Sequence, residues 1–163
     1  MKNLLIPLIA IFGIFLFQNN VQAIEFNPEY IISDFDFTNT NAMSNKDIQE
    51  FLKNQHSPLR LYTETNPNTN QREWAWEIIK NAADDYQINP QVLITLLQKE
   101  QSLIIGSPAK LSTRLNWAMG YAICDNCQMW DPRLQKYKGF KNQVQWAAKR
   151  MRQCLDDQSK FNI

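Results

Sequence analysis

This sequence is poor in the residues on which metal, redox and nucleic-acid chemistry depend. It holds a single histidine, His56, and three cysteines, Cys124, Cys127 and Cys154. A tetrahedral zinc site needs four nitrogen or sulfur ligands, and Cys124-Asp125-Asn126-Cys127 has no second pair to complete one. No βαβ pattern surrounds that Cys-x-x-Cys, which argues against a thioredoxin-like redox role. Nor is there a charge excess: 17 Lys and Arg face 16 Asp and Glu, whereas a nucleic-acid partner calls for a basic surplus. Internal repeats and low-complexity tracts are missing too. With 44% hydrophobic and 12% aromatic residues, the composition is that of a globular protein.

The one long apolar run is N-terminal. Lys2 supplies a short positive region, Leu4 to Phe17 is uncharged, and Val21-Gln22-Ala23 offers small residues for cleavage. Residues 1–23 therefore read as a secretory signal peptide. The run falls short of the roughly 20 residues of a membrane span, so the membrane is met only through the signal. Without Lys2, the remaining 16 basic residues balance the 16 acidic ones. About 140 residues are left, enough for one domain with a core. Export places them in the periplasm, the cell envelope or the medium, where disulfides form. Two of Cys124, Cys127 and Cys154 are candidates to pair, with the connectivity open.

Residues 24–43 read as an extended arm, with a short strand at Tyr30 to Ser33 and with Asp34 and Asp36 as solvated acids beside buried Phe35 and Phe37. Ser44 to Asn54 is the first helix, capped by Ser44, with Asp47 in its first turn and Ile48, Phe51 and Leu52 inward. His56-Ser57-Pro58 ends it, and His56 reads as a surface turn residue. Thr63 to Asn70 is a polar turn stretch. Gln71 to Tyr86 is the second helix, whose alanines admit a close neighbour. Gly106 to Ser112 is a loop, Cys124 to Tyr137 is irregular, and Phe140 to Gln158 is the last helix, apolar at Phe140, Val144, Ala147, Ala148, Met151 and Leu155. The expected fold is mostly α, with residues 44–163 as a single helical domain.

The stretch with the most chemical content is Ile88 to Ser102. Asn89-Pro90 is a helix start, because the Asn side chain accepts from an orphan backbone N–H and Pro at the first position loses no bond. Val92, Leu93, Leu96 and Leu97 recur at helical spacing. Glu100, four residues after Leu96 and three after Leu97, then falls on the buried stripe. A carboxylate there loses hydration, which suits a general acid.

The run "INPQVLITLLQKEQS" resembles the first motif of the soluble lytic transglycosylases and goose-type lysozymes, in which a helix started by Asn-Pro ends in the catalytic Glu. The segment Leu115 to Ile123, "LNWAMGYAI", is similar to their Ala-x-Gly-Leu-Met-Gln segment at Ala118 and Gly120, with Tyr121 in place of an aliphatic residue and Ile123 in place of Gln. The resemblance covers about residues 71–158 and implies a lysozyme-like domain in which Glu100 is the catalytic acid. It implies that Gln101, Ser102, Met119, Gly120 and Tyr121 contact the substrate. The match departs at Gln101, where the family has Ser. It also lacks the later Ala-Tyr-Asn-Ala-Gly segment, a role for which Tyr121 is the candidate substitute.

Glycoside hydrolysis ordinarily uses two carboxyl groups, and beyond Glu100 only Asp125 and Asp131 stand near the glycine segment in sequence. One acid suffices if the substrate supplies its own nucleophile. The resemblance implies that chemistry on peptidoglycan glycan strands: Glu100 protonates the glycosidic oxygen, and the muramoyl 6-hydroxyl then closes a 1,6-anhydro ring. Neither metal nor organic cofactor is implied. Two other readings remain open from the sequence. One is a non-catalytic peptidoglycan-binding module; the other is a disulfide-stapled envelope protein in which Glu100 is only a helix-end residue.

Overall fold

The computed structural model describes residues 31–67, 69–106, 109–126 and 128–158. The expected signal peptide, the arm before Ile31 and Cys127 lie outside them. Ile32–Ile163 form one compact unit.

The unit is mostly α, as expected. Its helices are α1 (Asp34–Thr38), α2 (Asn45–Asn54), α3 (Ala75–Tyr86), α4 (Pro90–Gln101), α5 (Leu111–Asn116), α6 (Pro132–Gln135) and α7 (Phe140–Gln158). Two short strands, β1 (Thr63–Thr65) and β2 (Arg72–Trp74), pair antiparallel with Glu64 opposite Glu73.

Helix α3 is the central element: it packs against α2, α4 and α7. Its alanines Ala75, Ala82 and Ala83 are fully buried with Ile79, and their small side chains let neighbouring helices come close. Around them gather Ile48 and Leu52 of α2, Leu93 and Leu97 of α4, and Phe140, Val144 and Ala148 of α7, all fully buried. Truncating any one of the large members to Ala would cost about 2–5 kcal/mol.

Local chemistry explains the helix boundaries. Ser44 and Asp47 form a capping box, Ser44 Oγ accepting from Asp47 N–H at 3.2 Å and Asp47 Oδ2 from Ser44 N–H at 2.8 Å. The second helix was expected from Gln71, but Arg72–Trp74 pair with β1, and α3 starts only at Ala75. There Glu77 Oε2 accepts the Trp74 N–H at 2.7 Å. Both strands are three residues long, too short for an alternation to register against the polar turn between them.

The arm is also different from expectation in its described part. Ile31 and Ile32 form a bend rather than a strand, and Asp34–Thr38 is a helical turn capped by Ser33. Phe37 packs on the core, while Phe35, expected to be buried, is exposed. What holds this turn is Asn89, a buried residue that donates its side-chain amide to Asp36 O and its backbone N–H to Phe37 O, both at 2.8 Å. The same side chain caps α4 by accepting from Gln91 N–H at 2.8 Å.

Among the described residues no helix is long and apolar enough to cross a membrane. Cys124 is disulfide-bonded, and Cys154 is free and exposed.

Candidate functional site

The C-terminal end of α4 and the turn after α5 meet at one point. Gly120 has φ +65°, a conformation that disfavours L side chains. A Cβ built there would lie 3.0 Å from Glu100 Oε2 and 3.6 Å from its carboxyl carbon. The missing side chain of Gly120 is therefore the space in which the Glu100 carboxylate sits. These two residues, twenty positions apart in sequence, are brought together by the fold.

The burial expected for Glu100 is not found. Its side chain is 32% exposed. The buried stripe of α4 runs through Pro90, Leu93, Ile94 and Leu97, while Leu96 is only half-buried. Glu100 thus continues the edge of the stripe, and the helix ends one residue later at Gln101, so no further turn covers it. Its contact with a charged group among the described residues is Lys99 Nζ, 3.4 Å from Oε1.

The other expected site residues divide. Gln101 is half-buried and offers its carbonyl to Arg114 Nη1 at 2.9 Å, and Ser102 is an exposed left-handed cap. Both serve to end α4. Met119, expected on the groove wall, is 4% exposed and belongs to the core, so its side chain is not presented to a ligand. Tyr121 is half-buried and stacks on Trp146 (centroids 5.9 Å, 21°), with Tyr137 edge-on to both at 5.2 Å. Asp131, a candidate second carboxylate, caps α6 and pairs with Arg133. Hydrogen bonds from the Arg133 side chain and backbone hold its carboxyl below the usual range. Asp125 is exposed. No group of three or more His, Cys, Asp or Glu among the described residues is arranged to hold a metal ion.

Gln143 of α7 is the residue that sequence reasoning missed. Fully buried, it accepts from Met119 N–H (3.3 Å) and Tyr121 N–H (3.0 Å) through Oε1, and donates from Nε2 to Tyr121 O (3.2 Å) and Tyr137 O (2.8 Å). One amide thereby fixes the backbone on both sides of Gly120. Its signal was present: Gln143 lies three residues after Phe140 and four before Ala147, a polar residue on an apolar stripe.

A family model described as LasA, N-terminal domain, matches residues 30–160. The chain belongs to the LasA N-terminal domain family. That match spans α1 to α7 and so includes Glu100, Gly120 and Gln143 together. No curated protein and no solved structure matches the chain.

Among the surface clefts of this LasA N-terminal-type unit, two are the most open to comparison with the site. One, of about 440 Å³, is lined by Gln49, Glu50, Lys53, Arg60 and Leu61. The other, of about 450 Å³, runs beside Trp117 and Trp130. Neither is lined by Glu100.

Proposed function

We propose that this protein is an exported, peptidoglycan-cleaving glycosidase of the lytic transglycosylase type, with Glu100 as its single general acid and base. The observation that carries the reading is the placement of the Glu100 carboxylate over Gly120, the pair to which the two sequence motifs pointed. Membership of the LasA N-terminal domain family supports the coarser part of this reading, a secreted protein related to peptidoglycan-active ones, and no glycosidase step in particular. The lysozyme-like resemblance of residues 71–158 is part of the same proposal.

In this mechanism Glu100 gives its proton to the glycosidic oxygen as the bond from C1 breaks. The resulting carboxylate then takes the proton of the muramoyl 6-hydroxyl as O6 attacks C1, closing the 1,6-anhydro ring and returning Glu100 to its acid form. Proton transfer of this kind contributes typically 10²–10⁴-fold. A second carboxylate is not required, in keeping with the structural use of Asp131.

A binding module without turnover is the second reading, favoured by the partial exposure of Glu100 and its contact with Lys99. The test is muropeptide release from purified peptidoglycan, wild type beside Glu100→Gln, with products resolved by mass. Anhydro-muropeptides from wild type alone are expected. Reducing-end products would redirect the chemistry to hydrolysis, and equal inertness with retained wall binding would leave the binding module.

A further inference from the structure

We infer that the cleft between Trp117 and Trp130 is a glycan subsite that takes an anionic, N-acetylmuramoyl-type sugar; this rests on the peptidoglycan reading above. Trp130 is 75% exposed, so its ring face is open to a ligand. It borders a cleft of about 450 Å³ that Trp117, 5% exposed, lines from the buried side. The polar groups around it are those a sugar requires. Thr113 and Asn116 have no side-chain hydrogen bond among the described residues, Gln135 uses its Nε2 on Met129 O, leaving its Oε1 to accept, and the Lys138 ammonium has no ion-pair partner among them.

A pyranose presents C–H groups on one face and hydroxyl or acetamido groups at its edge. The indole of Trp130 suits the first, and the amides of Asn116 and Gln135 with the Thr113 hydroxyl suit the second. Lys138 adds a cation matched to the lactyl or stem-peptide carboxylate of a muramoyl unit and to nothing on an unsubstituted N-acetylglucosamine. The backbone ties the inner wall of this cleft to the turn that carries Gly120. Trp117 and Gly120 are the ends of one turn, closed by Gly120 N–H to Trp117 O at 3.0 Å.

The experiment measures binding by calorimetry in the Glu100→Gln background, which removes turnover, with chitotetraose and a (GlcNAc-MurNAc)₂ tetrasaccharide as probes. Trp130→Ala is expected to weaken both by about tenfold or more, with Trp130→Phe restoring most of the affinity. Lys138→Gln is expected to weaken the muramoyl probe severalfold and leave chitotetraose unchanged. Both side chains are exposed, so folding is not at stake. Unchanged affinity of Trp130→Ala, or no binding of either probe, overturns the subsite. Cleavage of sacculi by wild type, measured separately, then still tells whether the catalytic reading stands. Binding through Trp130 with a wild type that never cleaves would keep the subsite and remove the enzyme.

Discussion

Two carboxylates in this molecule rest against a glycine of positive φ, and they are used in opposite ways. Glu100 Oε2 lies 3.0 Å from where a Cβ of Gly120 would stand, and Glu64 Oε1 lies 3.1 Å from the corresponding point at Gly139. Around Glu64 the protein has arranged donors. Its Oε2 accepts the Lys141 N–H in the first turn of α7 at 3.1 Å and the Tyr62 hydroxyl at 3.2 Å. Across the strand pair, Glu73 accepts from Lys141 Nζ at 2.6 Å and Asn66 Nδ2 at 3.0 Å, which offsets the repulsion of two facing acids. Burial, the Glu64 charge and the hydrogen bond to it push the Tyr62 phenol far above its ordinary range. Glu100 accepts no hydrogen bond among the described residues and meets only Lys99 as a charged partner. A carboxylate that receives donors from two other elements of the fold holds a structure together. One that is positioned but left open is available to a substrate.

The sharpest way to break this comparison is to fill each glycine. Gly120→Ala crowds the Glu100 carboxylate, which must give by a few tenths of an ångström; since about 1 Å of misplacement can cost on the order of 100-fold, this smaller shift costs on the order of severalfold in rate. Muropeptide release should therefore fall by about that factor, with a melting temperature lowered only by the cost of a left-handed Ala, roughly 1–2 kcal/mol. Full activity in Gly120→Ala would show that the open space at Gly120 does not position Glu100, and Glu100→Gln would then decide its role alone.

In stability the largest effect is that of Gln143→Leu, which leaves two buried N–H groups and two carbonyls of the Met119–Tyr137 region without the amide. Each such group costs about 1–3 kcal/mol, so a stability loss of about 3 kcal/mol or more is expected in urea titration, along with lost activity. Gly139→Ala should show the converse of Gly120→Ala: a loss of about 1–3 kcal/mol from backbone strain and the crowded Glu64, and unchanged activity per folded molecule.

The smallest effect is in acid. Desolvation raises the Glu73 carboxyl, but the hydrogen bonds from Lys141 and Asn66 and the Lys141 charge outweigh it and hold the group below its ordinary value. The folded state therefore binds this proton less readily than the unfolded one. Its contribution is complete above about pH 4.3 and fades as pH falls through the lower folded value. Glu73→Gln should flatten the acid limb of a stability-against-pH curve followed by urea titration.

How much of this was legible beforehand differs between elements. The capping box at Ser44 and Asp47, the Asn89-Pro90 start and the long stripe of α7 were readable because each is a local pattern within one helix. The hairpin was not, since strands of three residues leave no period to detect. The burial of Glu100 was overestimated because Leu96, used to place it on the stripe, is itself only half-buried. Met119 matched a groove motif in type and position but turned into the core. Gln143 stood in plain view as a polar residue among apolar ones, yet its partners lie more than twenty residues away at Met119 and Tyr121.

The sequence by itself determined where helices start and stop, which faces are apolar, and that Glu100 ends a helix, because caps and 3.6-residue periods act over a single turn or two. Only the tertiary structure decided that Gly120 stands against Glu100, that Gln143 holds the turn between them, and that Glu64, not Glu100, is the carboxylate surrounded by donors. Those outcomes depend on how α4, α5 and α7 come together, and no local rule carries the distance between groups on different helices.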